Sequence, residues 1–194
     1  MTDAVLTRVE ARLKTLPVGL QEHIQRTRAL AKDFATALNV DPVQADLATA
    51  AHDLARAYDD AKQLAEAKRL GIVPNSVELE TPLLLHGPIA AEYLRQDMNC
   101  TDKAVLEAVR WHTTAREGFG LVGQVVFLAD KVDPQKVTRR PFLERVRELA
   151  RINPSAAIAY YLGEEIQRQL QDGLMLHPAA VEARNYFLLQ SSSR

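Results

Sequence analysis

Six residues of this chain bind divalent metal ions readily as residue types and stand in otherwise apolar stretches: His23, His52, Asp53, His86, His112 and Asp130. The densest stretch is Leu-Ala-Thr-Ala-Ala-His52-Asp53-Leu-Ala-Arg56, where an imidazole and a carboxylate follow one another among Ala and Leu. Burying such a pair is costly unless both groups are satisfied, and a divalent metal satisfies both. Taken singly, each of the six has an ordinary alternative as a hydrogen-bonded core histidine, a helix cap or an aspartate closing a helix. One shared metal centre accounts for all six at once, and mixed His and Asp ligands accept several first-row metals.

The elements that must carry these residues read as helices throughout. Val5, Leu6, Val9 and Leu13 set a helical period over Asp3 to Lys14, closed by Pro17. A second period, Leu20, Ile24, Thr27, Ala31, Phe34 and Leu38, leaves His23 beside its buried stripe and turns Arg26 and Arg28 elsewhere. Asp41-Pro42 marks an N-cap and first helical position, opening the helix whose far end carries His52 and Asp53. Tyr58 to Leu70 reads as a polar, exposed helix ended by Gly71, and the aperiodic segment Ile72 to Thr81 as a loop or lid. His86 stands at the entrance of a helix over Ile89 to Met98. Asp102 caps the helix of Val105, Leu106, Val109 and His112, and Thr113 to Gly120 is loop-like.

Leu121 to Val132 contains β-formers, yet no second such run exists to pair with it, so it too reads as a helix. Three further helices are expected over Pro141 to Arg151, Pro154 to Gln171 and Pro178 to Gln190, with Ser191 to Arg194 frayed. The apolar tail helices have two outlets: packing on the rest of the domain, or forming the face of a homodimer.

A chain of 194 residues suits one domain with a continuous core. Its formal net charge of −1 argues against broad charge-driven binding to nucleic acid or an anionic membrane, which leaves a small molecule as the partner. Cys100 is the only cysteine, so no intramolecular disulfide or thiolate zinc knuckle can form. With no signal-peptide pattern or membrane-length apolar run, these features place the protein in the cytoplasm. No Gly-rich phosphate loop and no Gly-x-Ser-x-Gly elbow is found, and the basic stretch Lys131 to Arg151 is broken by Pro134 and Pro141.

The order His, His-Asp, Asp along an all-α chain resembles the HD-domain metal-dependent phosphohydrolases. The stretches His52-Asp53-Leu54-Ala55-Arg56, Leu85-His86-Gly87-Pro88, Trp111-His112-Thr113-Thr114 and Leu128-Ala129-Asp130 narrow the resemblance to the YqeK-type symmetrical bis(5'-nucleosyl)-tetraphosphatases. It implies a single-domain helical HD-domain fold with extra C-terminal helices: an N-terminal helix over 1–17, the HD region over 18–135 and an extension over 136–194. It also implies that His23, His52, Asp53 and Asp130 hold one metal and that His86 and His112 serve a second, with Asp53 bridging. The implied cofactors are two divalent ions, associated in that branch with iron, although manganese, cobalt, nickel or zinc fit the same ligands.

The activity so implied is symmetrical hydrolysis of diadenosine tetraphosphate to two ADP, with Asp53 and Arg56 as catalytic residues. Arg56, Gly87, Thr113, Thr114, Arg116 and Lys131 are the corresponding substrate-binding candidates. Arg56 also fits a helix-end cation, Arg116 a solvated loop residue and Thr113 and Thr114 turn caps. His177, just before Pro178, reads as a cap outside the site, and Trp111 as core or pocket wall. The chain departs from the branch at Arg56, Ala115, Gln124 and Lys131, none a presumed ligand. Ala115 stands where Gly is common, implying a backbone without positive φ. These departures leave two other readings open: an HD-domain nucleotidase or triphosphate hydrolase of different specificity, and a non-catalytic nucleotide sensor.

Overall fold

In a computed structural model that describes residues 2–192, the chain is all-helical, with no strand among the described residues. The helices are α1 (Thr2–Leu13), α2 (Val18–Leu38), α3 (Pro42–Ala51), α4 (Asp60–Arg69), α5 (Ser76–Glu80), α6 (His86–Glu92), α7 (Lys103–Trp111) and α8 (Leu121–Lys131). They are followed by α9 (Pro134–Arg139), α10 (Leu143–Ala150), α11 (Pro154–Gln171) and α12 (Pro178–Ser192). A 3-10 turn at Pro82–Leu85 leads into α6, and a wider π turn at Tyr93–Asp97 ends it.

α8 is the hub. Every residue from Val122 to Lys131 is buried, because α2, α3 and α7 pack on one side of it and α10 and α11 on the other. A helix covered all round has no need of a polar face, and this stretch is correspondingly apolar nearly throughout. Beside it, α3 is built largely of Ala, and Ala45, Ala48, Ala50 and Ala51 are fully buried where it meets α2, α7 and α8. Small side chains let these backbones approach closely. The start of α3 is fixed by Asp41, whose carboxylate accepts from the Val43 amide at 2.8 Å, a cap worth about 1 kcal/mol.

The C-terminal helices share the core. Phe127 and Leu128 of α8 join Leu143, Val146, Ile158, Tyr161, Leu162 and Phe187 in one apolar cluster, with Phe127 and Tyr161 edge to face at 5.4 Å.

Several local expectations are corrected. The 72–81 segment contains α5, held by a capping box in which Asn75 accepts from the Val77 and Glu78 amides while Glu78 accepts from the Asn75 amide. α4 begins at Asp60 and buries Gln63 and Ala67, so it is not simply an exposed polar helix. α9, absent from the sequence reading, starts at Asp133-Pro134 with Asp133 as its cap. The fraying expected over 191–194 does not begin at 191, since α12 runs through Ser192; Ser193 and Arg194 lie outside the described residues. Ala115 has φ 55°, in the left-handed region, contrary to the expectation of a negative φ there. Its amide donates to the Trp111 carbonyl at 2.8 Å, closing the turn after α7, and its methyl is buried.

Candidate metal centre

Five helices or their ends converge on one buried point. His23 stands on α2, and His52 and Asp53 follow directly on α3. His86 opens α6, His112 follows α7, and Asp130 lies in the last turn of α8. Placing histidines at helix ends lets a main-chain carbonyl three residues earlier accept from the ring of three of them. His52 Nδ1 donates to the Thr49 carbonyl at 2.7 Å, His112 Nδ1 to that of Val109 at 2.8 Å, and His86 Nδ1 to that of Leu83. Each ring thereby turns Nε2, with its lone pair, toward the common centre.

Asp53 occupies the middle of the cluster. Its Oδ1 lies 3.0 Å from His86 Nε2 and 3.4 Å from His112 Nε2, and its Oδ2 lies 3.4 Å from His52 Nε2 and 3.7 Å from His23 Nε2. Asp130 Oδ1 is 3.1 Å from His23 Nε2 and 3.9 Å from His52 Nε2. Two overlapping trios have ligand atoms all within 4.8 Å of one another: His23, His52 and Asp130, and His52, Asp53 and His112.

The chemistry of this donor set fits divalent metal. His52 Nε2 and Asp53 Oδ1 are buried without a hydrogen-bonding partner, which in an apolar interior costs about 1–3 kcal/mol each. His86 Nε2 and His112 Nε2 face each other at 2.9 Å with their Nδ1 protons already committed elsewhere. Burial pushes the Asp53 carboxyl up, but His52, His112 and His86 around it outweigh this and hold it well below the usual carboxylate range. Burial drives His112 down to about 3, so its ring is neutral.

Outside the cluster, sequence reading missed a support. Asp133 Oδ2 sits 2.5 Å from His23 Nδ1, and Arg26 grips the same carboxylate through Nε and Nη2, each at 3.0 Å. Arg26 therefore does not point away from the site, whereas Arg28 does, pairing with Asp46 and Glu10. Asp-Pro in sequence signals a cap, and Asp133 indeed accepts from the Gln135 amide at 3.0 Å, so its second role left no separate trace. Lys131 and Lys136 bind opposite oxygens of Asp130 at 2.8 and 2.6 Å, and Lys131 also donates to the His112 carbonyl at 3.1 Å.

A cleft of about 610 Å³ opens beside the centre. Arg56, His86, Thr113, Thr114 and Lys131 line it, and Arg56 Nε is 3.6 Å from Asp53 Oδ2. Two proposed substrate residues lie elsewhere. Arg116 pairs with Glu107 at 2.7 Å in an outer groove shared with Trp111. Gly87 is a packing residue, since a Cβ there would stand 2.9 Å from the Arg110 carbonyl oxygen and 3.1 Å from His112 Nδ1. Gln124 donates to the Phe119 carbonyl at 2.7 Å and does not line the cleft. His177 does line it, while its Nδ1 accepts from the Ala179 amide at 3.2 Å, the capping contact expected of it.

Residues 20–135 match the HD domain family. Over 169 residues the chain is 29% identical to a protein of Halalkalibacterium halodurans named "Bis(5'-nucleosyl)-tetraphosphatase, symmetrical", covering 87% of this chain and 89% of that one. A Bacillus subtilis protein of the same name is 28% identical over 128 residues, 65% of this chain and 66% of its own length. A crystal structure of a predicted HD superfamily hydrolase involved in NAD metabolism, from Clostridium acetobutylicum, superposes with a TM-score of 0.88 at 23% identity, over 95% of this chain and 97% of that one. That likeness establishes the fold. With the family match spanning every histidine and aspartate of the cluster, the chain belongs to the HD domain family.

Proposed function

We propose that this chain is a metal-dependent phosphohydrolase that cleaves diadenosine tetraphosphate symmetrically into two ADP. The observation that carries the reading is the set of buried, unpartnered ligand atoms, His52 Nε2 and Asp53 Oδ1 among them, at the edge of a cleft large enough for a nucleotide. Relatives named for this reaction over most of their length support the choice of substrate.

His23, His52, Asp53 and Asp130 would hold one ion, and Asp53 with His86 and His112 a second. Iron is our assignment, and manganese, cobalt, nickel and zinc suit the same donors. Such ions supply a water acidic enough to ionise at neutral pH and neutralise charge on the phosphoryl group. The protein's part is positioning. Nδ1–carbonyl hydrogen bonds fix the tautomers of His52, His86 and His112 before any substrate arrives. Arg56, partly exposed at the cleft wall, is placed to meet phosphate oxygens while staying near Asp53. Lys131, buried against Asp130 and the His112 carbonyl, balances the carboxylate charge of the site. ADP is a good leaving group, so no strong general acid is required. The lone, buried Cys100 agrees with a reducing cytoplasm.

The test is product analysis. Metal-loaded protein given diadenosine tetraphosphate is expected to release ADP as its only nucleotide product. ATP together with AMP would contradict symmetrical cleavage.

A further inference from the structure

Two chemically different groups of residues line the cleft beside the metal centre. One is cationic and polar, with Arg56, Lys131, Thr113 and Thr114 near the ligands. The other is largely apolar: Leu83 and Leu84 on one side, and Leu162, Ile166, Leu174 and Met175 on the other. The second side comes wholly from α11 and the connection to α12, beyond the residues that match the HD domain family.

We infer that this C-terminal wall is the nucleoside-binding half of the site, taking the purine of one end of a dinucleoside polyphosphate while the phosphates run toward Arg56 and the metal ligands. The inference rests on the phosphohydrolase reading above and adds to it the part of the chain that selects a nucleotide over a bare polyphosphate. Three large apolar side chains stand open to water on this rim, Leu83 at 39%, Leu174 at 51% and Met175 at 51% exposure. Apolar side chains grouped at the mouth of a cleft gain from a ligand that covers them. A purine is flat, has two weakly polar faces, and suits a polarisable thioether such as that of Met175. Its edge also needs hydrogen-bonding partners, and Glu165, Gln169 and His177 line the same wall. That mixture distinguishes a base from an acyl chain, which would call for an apolar lining alone.

The wall is also built rather than accidental. Arg140 and Arg168 each donate to Glu165 at 2.6 Å, fixing its carboxylate on α11. At the other margin Asn75, the cap of α5, packs against His177 at the start of α12. Preorganised walls lose less entropy when ligand binds.

The experiment uses metal-loaded protein carrying Leu174→Ser and Met175→Ser, both at exposed positions where the fold does not depend on the side chain. The KM for diadenosine tetraphosphate is expected to rise about tenfold, as for the loss of a good apolar contact, with kcat little changed. Affinity for ADP, read by calorimetry without turnover, is expected to fall by the same factor. Turnover of inorganic tripolyphosphate, which has no nucleoside, is expected to stay as in the wild type. An unchanged ADP affinity overturns the inference and hands the apolar rim to a protein or lipid partner. A matching loss on tripolyphosphate overturns it as well, by locating the damage at the phosphate end. If the wild type cleaves no dinucleotide, the phosphohydrolase reading fails on its own, and the ADP comparison still decides the wall.

Discussion

His86 and His112 meet Nε2 to Nε2 at 2.9 Å, each with its Nδ1 proton committed to a main-chain carbonyl three residues earlier. Two nitrogen lone pairs at that distance repel, and Asp53 Oδ1 lies 3.0 and 3.4 Å from the same two atoms. Three electron-rich atoms are thus pressed together by helices that would otherwise gain nothing from doing so. A cation among them turns repulsion into coordination, so metal binding and folding stability are linked.

That linkage is measurable by removing the metal. At a free ion concentration of about a hundred Kd, each bound ion stabilises the fold by about 2.7 kcal/mol. Each kcal/mol shifts the midpoint of a domain of this size by about 2–4 °C, so chelation is expected to lower the thermal midpoint by roughly 5–10 °C for each ion removed. Equal midpoints with and without chelator would show that the cluster does not depend on an ion.

Asp133 offers a narrower test. It accepts from His23 Nδ1 on one side and is held by Arg26 on the other, so it sets which nitrogen of His23 faces Asp130 and Asp53. Asp133→Asn keeps the volume but lets the amide present its NH2 to His23. Loss of such an outer partner weakens metal binding by about 10–100-fold. The ion associated with His23 is expected to be lost first in a metal titration, with the His86 and His112 side retained. Two unaltered binding steps would assign Asp133 to capping α9 only.

A pH series separates two histidines of opposite behaviour. Burial lowers the pKa of His52, but Asp53 and Asp130 more than offset this and leave it raised above 6.5. The stabilisation from protonated His52 is complete below pH 6.5 and is lost as pH climbs through the raised folded value. His112, pushed down to about 3, does the reverse: below pH 6.5 the unfolded chain takes up its proton first, and stability falls as pH falls. Metal-free protein is therefore expected to be most stable near pH 6.5 and to weaken toward higher pH. Metal-loaded protein, in which the ion displaces the proton from His52, is expected not to weaken there. Thermal midpoints of both forms across this range decide it, and a metal-free midpoint that climbs steadily above pH 6.5 would contradict the account.

Much of this molecule is legible in its sequence because the relevant signals are local. Asp41-Pro42 announces the start of α3, and a polyvalent group of His and Asp among Ala and Leu announces a buried polar centre needing a partner. Where one residue performs two tasks, the local signal reports only one. Asp133 reads as a helix cap and is one, while its hold on His23 spans 110 positions of chain. Asn75 and Glu78 form a capping box whose spacing is visible, yet the flanking prolines and short length hide the helix it opens. Ala115 shows a left-handed backbone that its residue type does not suggest. The C-terminal wall of the cleft is invisible for a simpler reason: Ile166, Leu174 and Met175 acquire their meaning only when α11 folds back on α8.

The central claim is that one centre built on Asp53 binds metal, and elemental analysis of anaerobically purified protein tests it most directly. Wild-type protein is expected to carry about two ions per chain, and Asp53→Ala, judged folded by its helical circular dichroism, to carry less than one. Wild-type protein that stays metal-free after reconstitution with iron, manganese or zinc, or a folded Asp53→Ala variant that keeps the wild-type content, would contradict it.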